Sequence, residues 1–294
     1  MKKTVKVLIL VILIGIFLFS AGKLLYYYLT ARENIQKSNA LVEEFVVIRP
    51  ISSEHATMEL PSYADETEEL EHGSPNSHGN VEPSINEQEP GQTPEQDPEP
   101  VEESAPIVVN FDLLQGRYPD CVGWLYSPST PINYPIMQSA DNDYYLRRAY
   151  DGSYNRCGSL FLDYRCTRDF SDSLSLVYGH NMKNDTMLGT LERYTDQAYY
   201  EAHREMYLLT RDADYVLRPF AGCVVPDNSG YYRIPLEISV EDYAVAAQFD
   251  SAFQAELPAD LDRIVVLSTC SYDFEEARFL LFCSVSRIEN APVP

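Results

Sequence analysis

The sequence RIVVLSTCSYDFEEARFLLF, residues 263–282, joins two apolar runs through a short polar segment. Both runs are rich in valine, isoleucine, leucine and phenylalanine, most of which favour β-strands. The first run ends at Cys270, and the second begins near Arg278. If the two strands pair as neighbours, the thiol and the guanidinium lie close together at one end of the pair. The stretch therefore predicts two paired strands that carry two reactive side chains at one end.

Six further apolar segments with the length of strands precede this pair. They are GWLY (123–126), TPINYPIMQS (130–139), CGSLFLD (157–163), LSLVYGH (174–180), MYLLT (206–210) and DYVLRPFAGCVV (214–225). In the second of them, Pro131 and Pro135 lack the N–H group that a ladder uses, so this strand is predicted to be irregular or to lie at an edge. Many short strands with only local helices favour a β-barrel over alternating βαβ units.

Three helices are predicted, one before the first of these strands and two between later ones. Residues 111–117 suggest a short helix, and residues 187–194 have apolar side chains at helical spacing. Residues 239–257 predict a helix just before the cysteine strand. Ser239 is its expected N-cap, with Asp242 three residues further on as a weak capping-box partner.

The N-terminus places three lysines among its first six residues, and a long apolar segment follows. Residues 7–29 are long enough to cross a bilayer as a helix. Because positive charge stays on the cytoplasmic side, residues 1–6 are expected inside the cell and the rest of the chain outside. The tyrosines at 26–28 would then lie at the extracellular interface of the membrane. A cleaved signal peptide is the alternative, but no clean A-x-A site is present.

Acidic residues dominate the chain, with 45 acidic against 22 basic residues and a formal net charge of −23. Residues 50–105 contain 15 of the acidic residues and neither lysine nor arginine, and they are rich in proline. They are predicted to be a disordered spacer that holds the following domain off the membrane. Residues 30–49 are expected to form a juxtamembrane stalk, and residues 106–294 the ordered domain. The acidic balance argues against nucleic-acid binding.

Six cysteines occur, all of them in the ordered domain. An extracellular location would permit disulfides, and whether any cysteines pair is left open. No C-x2-C pair exists and histidine is sparse, so no zinc site is predicted. Most of the cysteines lie in apolar segments and are expected to be buried. Cys270 differs because it ends a strand, where a substrate can reach it.

A nucleophilic cysteine needs its thiolate form and therefore a positive charge or a base nearby. The ordered domain has two histidines. His203 lies in the polar segment YEAHREM and is interpreted as a solvated surface residue, whereas His180 stands at a turn where a strand ends. His180 is therefore the candidate base. Arg278 could stabilise an oxyanion, although a surface salt bridge with Glu275 or Glu276 would also account for it.

Three of these segments together resemble the signature of the sortases. They are VLSTC (266–270), ARFLL (277–281) and YGHNM (178–182), similar to the TLxTC, arginine and histidine motifs of that family. Residues 123–166 resemble the corresponding region of class B sortases, as does the helical insertion over 239–257. The resemblance covers about residues 107–290. Val266 departs from the pattern, since the family usually has threonine there.

The resemblance implies a mostly β sortase fold, an eight-stranded β-barrel with an N-terminal helix and a helix inserted before the cysteine strand. It implies Cys270 as the nucleophile, His180 as the general acid and base, and Arg278 as the residue that stabilises the transition state and the substrate. Sortases are membrane-anchored transpeptidases of Gram-positive bacteria that need no cofactor. The implied partners are secreted proteins with a C-terminal sorting motif, NPxTN-like for class B, and an amine of a peptidoglycan precursor.

Other readings of the same residues remain open at this point. A pilin-polymerising sortase would carry the same signature. An L,D-transpeptidase would want a His-Gly segment beside its cysteine, which LSTCSYDF does not contain, and papain-like hydrolases place cysteine before histidine. A non-catalytic surface binding module is a further alternative, against which the three polar residues at strand ends argue.

Overall fold

A computed structural model of the chain describes residues 2–49 and 104–289. Most of the predicted disordered spacer therefore lies outside the described residues, and its disorder stays a prediction. The helices are α1 (Lys2–Phe45), α2 (Phe111–Arg117), α3 (Gln197–Ala202) and α4 (Val240–Phe249). The strands are β1 (Val46–Ile48), β2 (Ile107–Val109), β3 (Cys121–Tyr126), β4 (Asn133–Met137), β5 (Leu160–Leu162), β6 (Leu174–Tyr178), β7 (Met206–Leu209), β8 (Asp214–Pro226), β9 (Ile264–Cys270) and β10 (Ala277–Arg287).

Strands β3 to β10 close into a barrel in the order β10, β8, β7, β3, β4, β5, β6, β9. Neighbouring strands are antiparallel except for the pairs β4–β5 and β6–β9, which are parallel. This confirms the predicted eight-stranded β-barrel, with α2 before its first strand and α4 before β9. Because β6 and β9 run parallel, the residues that follow these two strands emerge at the same end of the barrel.

The stretch 263–282 forms β9 and β10, which pair antiparallel as expected. Both faces of β9 are buried. Val265 and Leu267 belong to the apolar cluster that fills the barrel, while Ile264 and Val266 pack in the cluster that contains Ala244 of α4. Burial on both faces explains why this part of the sequence is an apolar run without polar alternation.

The segment with helical spacing at 187–194 does not form an α-helix. Only Leu191–Thr195 make a short 3-10 helix. Met187 has a φ of 57°, outside the helical range, and the N–H of Leu188 donates to the carbonyl of His180 at 3.1 Å. The chain here is held by bonds to the residues after β6, and these override its helical spacing.

The helix predicted over 239–257 begins as expected and ends early, at Phe249. The Ser239 hydroxyl accepts the backbone N–H of Asp242 at 3.0 Å, which confirms the predicted N-cap. After the helix the chain turns so that Phe253 is buried and stacks on Tyr200, with ring centroids 4.4 Å apart. Burial of this aromatic side chain explains why the apolar spacing outlasts the helix.

The proline-containing strand β4 is irregular but is not at an edge, because the closed barrel has no free edge strand. Its pairing with β3 shifts register between Cys121 and Gly123. Its parallel pairing with β5 involves only Ile136 and Met137, which follow Pro135. The proline is thus placed before the segment that pairs on both sides.

Helix α1 runs without a break from the apolar N-terminal segment through the stretch predicted to be a stalk. Its last turns bury Leu41 and Phe45 in a cluster with Trp124 of the barrel. Strand β1 follows at once and pairs antiparallel with β2, and the N–H of Arg49 donates to the carbonyl of Pro106 at 2.9 Å. By length and composition, α1 could cross a membrane.

Candidate active site

A cavity of about 330 Å³ opens at the end of the barrel where β6 and β9 finish and β10 begins. All three residues singled out in the sequence line it. The full lining is Asn142, Leu146, Phe161, Tyr178, Gly179, His180, Asp227, Tyr232, Ser268, Thr269, Cys270 and Arg278. They come from β5, from the ends of β6 and β9 and the start of β10, and from the connections β4–β5, β6–β7 and β8–α4.

The strand register brings the three predicted residues to one place. In the parallel pair, Tyr178 of β6 lies beside Ser268 of β9. His180 comes two residues after Tyr178, and Cys270 comes two residues after Ser268. Because the two strands run parallel, His180 and Cys270 emerge side by side. On the other side of β9, Cys270 is the register partner of Arg278 on β10. The barrel topology therefore explains how residues about ninety positions apart share a cavity.

Asn181 joins the histidine segment to the cysteine strand. Its side-chain amide donates to the backbone carbonyl of Cys270 at 2.8 Å and to the carboxylate of Glu192 at 2.7 Å. The bond fixes the chain that carries His180 against the end of β9. Asn181 lies within the segment YGHNM, and its place directly after the candidate base was the available sequence signal for this role.

Cys270 is the one cysteine with a partly exposed side chain. All six cysteines fall within the described residues and are free thiols. Burial raises the pKa of each of the other five above its ordinary value, which opposes thiolate formation. They are Cys121, Cys157, Cys166, Cys223 and Cys283. The expectation that most cysteines are buried and one is accessible is met.

His180 is partly buried beside the cavity, and its Nε2 lies 2.8 Å from the carbonyl oxygen of Leu146. A carbonyl only accepts, so Nε2 carries the proton and Nδ1 of the neutral ring is left as an acceptor. Burial lowers the pKa of His180 below 6.5, the carbonyl of Leu146 opposes this, and the charge of Arg147 adds to the lowering. At neutral pH the ring is therefore a neutral base.

Arg278 forms its ion pair with Asp227, at 3.8 Å, and donates to the carbonyl of Ala277 at 3.0 Å. The surface salt bridge considered from sequence, with Glu275 or Glu276, is not the pairing that forms. Asp227 follows β8 and lines the same cavity. The guanidinium is thus held at the cavity by a carboxylate from the segment after β8, and a distance of 3.8 Å leaves its N–H groups available to a ligand.

His203 lies away from the cavity. Its ring stacks on Tyr199 with centroids 4.0 Å apart, and its Nδ1 lies 2.8 Å from the carbonyl oxygen of the same residue. In the part of the chain that the structure describes, no three His, Cys, Asp or Glu side chains converge as metal ligands would. The cavity itself offers a thiol, an imidazole and a guanidinium.

Several cavity residues were not found from the sequence. They are Asn142, Leu146, Tyr178, Asp227, Tyr232 and Ser268. Most of them lie in connections or at strand ends, where no hydrophobic period marks a residue as facing a site. The only sequence signal that they face the site is their place next to motif residues. Tyr178 directly precedes Gly-His, and Ser268 directly precedes Thr-Cys.

Comparison with known proteins places this geometry in a family. No family model matches the chain. The chain is 37% identical over 175 residues to sortase B of Listeria monocytogenes, which covers 57% of this chain and 70% of that protein. It is 30% identical over 173 residues to sortase B of Staphylococcus aureus, which covers 56% of this chain and 69% of that protein.

Solved structures agree with these relatives. A Staphylococcus aureus sortase B–substrate complex has a TM-score of 0.57 at 26% identity and covers 61% of this chain and 85% of its own. A sortase B complexed with triglycine has a TM-score of 0.57 at 26% identity, with 61% and 86% covered. The chain is similar in sequence to these relatives over most of their length, and it has the same barrel fold. It therefore belongs to the class B sortases and is a sortase-type cysteine transpeptidase.

Proposed function

We propose that this transpeptidase uses Cys270 as nucleophile, His180 as general base and acid, and Arg278 as stabiliser of the transition state and the bound substrate. Its substrates would be secreted proteins with an NPxTN-like C-terminal sorting motif, and its acceptor an amine of a peptidoglycan precursor. The observation that carries the proposal is the shared cavity, which joins the one accessible thiol of the chain to an imidazole and a guanidinium.

Acylation follows from the chemistry of these groups. The Cys270 thiol transfers its proton to the free nitrogen of His180, and the sulfur attacks the carbonyl carbon of the threonine of the motif. A C–S bond forms and the C–N bond of the peptide breaks. His180, now protonated, gives that proton to the departing amine, so the products are a thioester and the released C-terminal peptide.

Arg278 would act on the charge that develops on the carbonyl oxygen during this attack. Its guanidinium is always charged, and its N–H groups are fixed in a planar fork. Its register position opposite Cys270 brings its backbone within one strand spacing of the thiol-bearing residue. The ion pair with Asp227 keeps the side chain at the cavity without occupying all of its donors.

Transfer reverses the first step with a different amine. The acceptor amine gives a proton to His180 and attacks the thioester carbon, a new C–N bond forms, and the C–S bond breaks to restore the thiol. One solved sortase B is complexed with triglycine and another with its substrate. These complexes support an amine acceptor and a peptide substrate for this chain.

For the membrane, we propose that α1 is a single-pass anchor with its N-terminus in the cytoplasm and the barrel outside the cell. The support is the apolar character and length of α1 together with the lysines at its start. This topology would place the barrel in the compartment of secreted substrates and of wall precursors.

The test is peptide cleavage by the full chain in detergent with a quenched fluorescent NPxTN-type peptide, with and without triglycine. The wild type is expected to release the C-terminal fragment and, with triglycine, to form the transfer product. Cys270→Ala and His180→Gln are expected to abolish both, because they remove the nucleophile and the base.

Cys223→Ala and His203→Gln serve as matched controls, since both residues lie outside the cavity. Both controls should retain the activity of the wild type. Cleavage by Cys270→Ala at the rate of the wild type would overturn the proposed role, and absence of cleavage of every peptide in a motif library by the wild type would overturn the proposed substrate class.

A further inference from the structure

Asp163 is a carboxylate with a fully buried side chain that lies next to the cavity and is absent from its lining. It directly follows β5, and its backbone N–H donates to the carbonyl of Leu176 on β6 at 2.8 Å. A buried carboxylate is costly unless it is paired and hydrogen-bonded. Its hydrogen-bond partners therefore show what offsets the cost of burying its charge.

Arg165 is the charged partner. Its Nε and Nη2 donate to the two carboxylate oxygens at 2.8 Å each, and its backbone N–H donates at 2.9 Å. Burial alone would raise the pKa of Asp163, but the hydrogen bonds from Arg165, Asn142 and Tyr178 hold this pKa below its usual range. The group is therefore an ionised, fully paired acceptor.

The other two donors to Asp163 both line the cavity. The side-chain amide of Asn142 and the hydroxyl of Tyr178 each donate to Oδ2 at 2.9 Å. Asn142 also accepts the N–H of Tyr164 at 3.1 Å, so its amide is held at both ends. One carboxylate thus fixes a residue of the β4–β5 connection and the last residue of β6.

Arg165 extends the network to the β8–α4 connection. Its Nη2 donates to the carbonyl of Tyr232 at 3.3 Å. The Tyr232 hydroxyl shares a hydrogen bond of 2.9 Å with Ser268, two residues before the cysteine, and its ring stacks on that of Tyr178 with centroids 6.3 Å apart and planes at 10°. Three separate parts of the cavity lining are therefore tied to one ion pair.

We propose that Asp163, together with Arg165, is a positioning residue for transpeptidation. The pair holds Asn142, Tyr178 and Tyr232 at fixed separations, so that the cleft has the shape of the extended sorting peptide before the peptide arrives. The inference rests on the proposed function. It assigns the pair to substrate positioning and not to the reaction of the thiol, because neither member lines the cavity.

The test compares Asp163→Asn with the wild type in the full chain, using the same fluorescent NPxTN-type peptide and, separately, a small thiol reagent that needs no peptide cleft. Asparagine keeps the size of the side chain and removes its charge. We expect kcat/KM for the peptide to fall about tenfold or more, mainly through KM. The rate of Cys270 labelling should stay within about twofold of the wild type.

Tyr178→Phe removes the hydroxyl donor to Asp163 and should lower kcat/KM through the same network. The double variant Asp163→Asn, Tyr178→Phe should then lose less than the product of the two single losses. Glu205→Gln is the matched control, because Glu205 pairs with Arg218 at 2.9 Å outside the cavity. This control should leave kcat/KM unchanged.

If Asp163→Asn does not fold, Arg165→Lys carries the test, since lysine keeps the charge but cannot reach both the carboxylate and the Tyr232 carbonyl as a planar fork does. Three outcomes would each overturn the inference. The first is a folded Asp163→Asn or Arg165→Lys variant with the kcat/KM of the wild type. The others are losses of kcat/KM that multiply in the double variant, and a rate of Cys270 labelling that falls as far as kcat/KM does. A wild type that cleaves no sorting peptide would instead overturn the proposed function.

Discussion

Arg278 lies on β10 and Asp227 directly follows β8. These two strands are neighbours in the barrel but are not consecutive in the sequence. The register of β10 against β8 places Ala277 opposite Pro226, so Asp227 follows directly beside the start of β10. This pairing takes the place of the contacts with neighbouring glutamates that sequence proximity suggested. The basic side chain is therefore oriented by the barrel, and its exact donor geometry matters more than its charge alone.

Arg278→Lys tests that statement. Lysine keeps the charge and the ion pair but lacks the planar set of donors, so kcat/KM for the sorting peptide is expected to fall about 100-fold with Tm unchanged. Arg233→Lys is the control, since Arg233 is exposed and pairs with Glu237 within its own segment. Peptide kinetics and thermal unfolding measure both. If Arg278→Lys has the kcat/KM of the wild type, the planar donors of Arg278 are not needed for catalysis, and the ion pair with Asp227 is its only role.

The ionisation of His180 is also predicted at this scale. Burial disfavours the charged ring, so its midpoint should lie below pH 6.5, and the ring should be neutral at pH 7. The unfolded chain takes up a proton at about pH 6.5. As pH falls through 6.5 towards the folded midpoint, the unfolded state binds more protons, and the free energy of unfolding decreases.

Proton NMR of the imidazole measures this midpoint, with His180→Gln and His203→Gln used to assign the two signals of the barrel. Burial of His180 also predicts that the acid limb of the kcat/KM profile lies below pH 6.5. A midpoint at or above 6.5 would contradict the prediction and would mean that the ring is solvated or paired with a negative charge.

At the scale of elements, Gly179 separates the strand that ends at Tyr178 from His180. A Cβ on Gly179 would lie 2.7 Å from Cγ of the buried Leu188 and would also collide with the side chain of Leu160. Only glycine lets the end of β6 pass this close to the packed side chains beneath it. The Gly in YGH thus has a packing role in addition to forming the turn.

Gly179→Ala is accordingly expected to lower the free energy of unfolding by about 1–3 kcal/mol, as overpacking does. Gly116→Ala is a control of the opposite sign. Gly116 lies in α2 with no atom within 4 Å of the added Cβ, so the change should stabilise the protein by about 0.5–1 kcal/mol. Denaturant unfolding measures both, and equal shifts for the two variants would contradict the packing argument.

Sequence reasoning succeeded for elements whose residues carry their own pattern. The apolar runs of β9 and β10, the N-cap at Ser239 and α2 were predicted because burial and capping leave a local trace. The end of α4 and the segment after Met187 were not, since there the contacts of Phe253 and Leu188 with distant parts of the chain decide the structure. The same limit applies to Asp163 and its network, whose members come from several separate segments.

The whole molecule differs from its sequence expectation in how α1 meets the barrel. A stalk followed by a long spacer was expected between the membrane and the ordered domain. Instead α1 reaches the barrel itself, with Leu41 and Phe45 in its core cluster, and β1 pairs with β2. The distance between the apolar part of α1 and the cavity is therefore set by a helix, which rises about 1.5 Å per residue, and not by residues 50–105.

Replacing residues 50–103 by a short Asn-Gly-type turn should therefore leave the barrel folded and active, because Ala105, which is buried in the same cluster as Leu41 and Phe45, is kept. The carbonyl of Pro106 already accepts the N–H of Arg49, so a hairpin turn can close the gap. Tm and kcat/KM of the full chain with the shortened connection are expected to match those of the wild type. A control that replaces both Leu41 and Phe45 by alanine should lower Tm, because it removes the packing of α1 on the barrel.

The pairing of β1 with β2 also determines what a cut in the chain would do. A protease that cleaved between residues 50 and 103 would break the covalent path from α1 to the barrel without separating the two. The fragments would stay associated through the three register pairs of this small sheet and through Leu41 and Phe45. A nicked molecule should therefore migrate as two bands on a denaturing gel and as one particle in a native one, with its barrel still attached to α1.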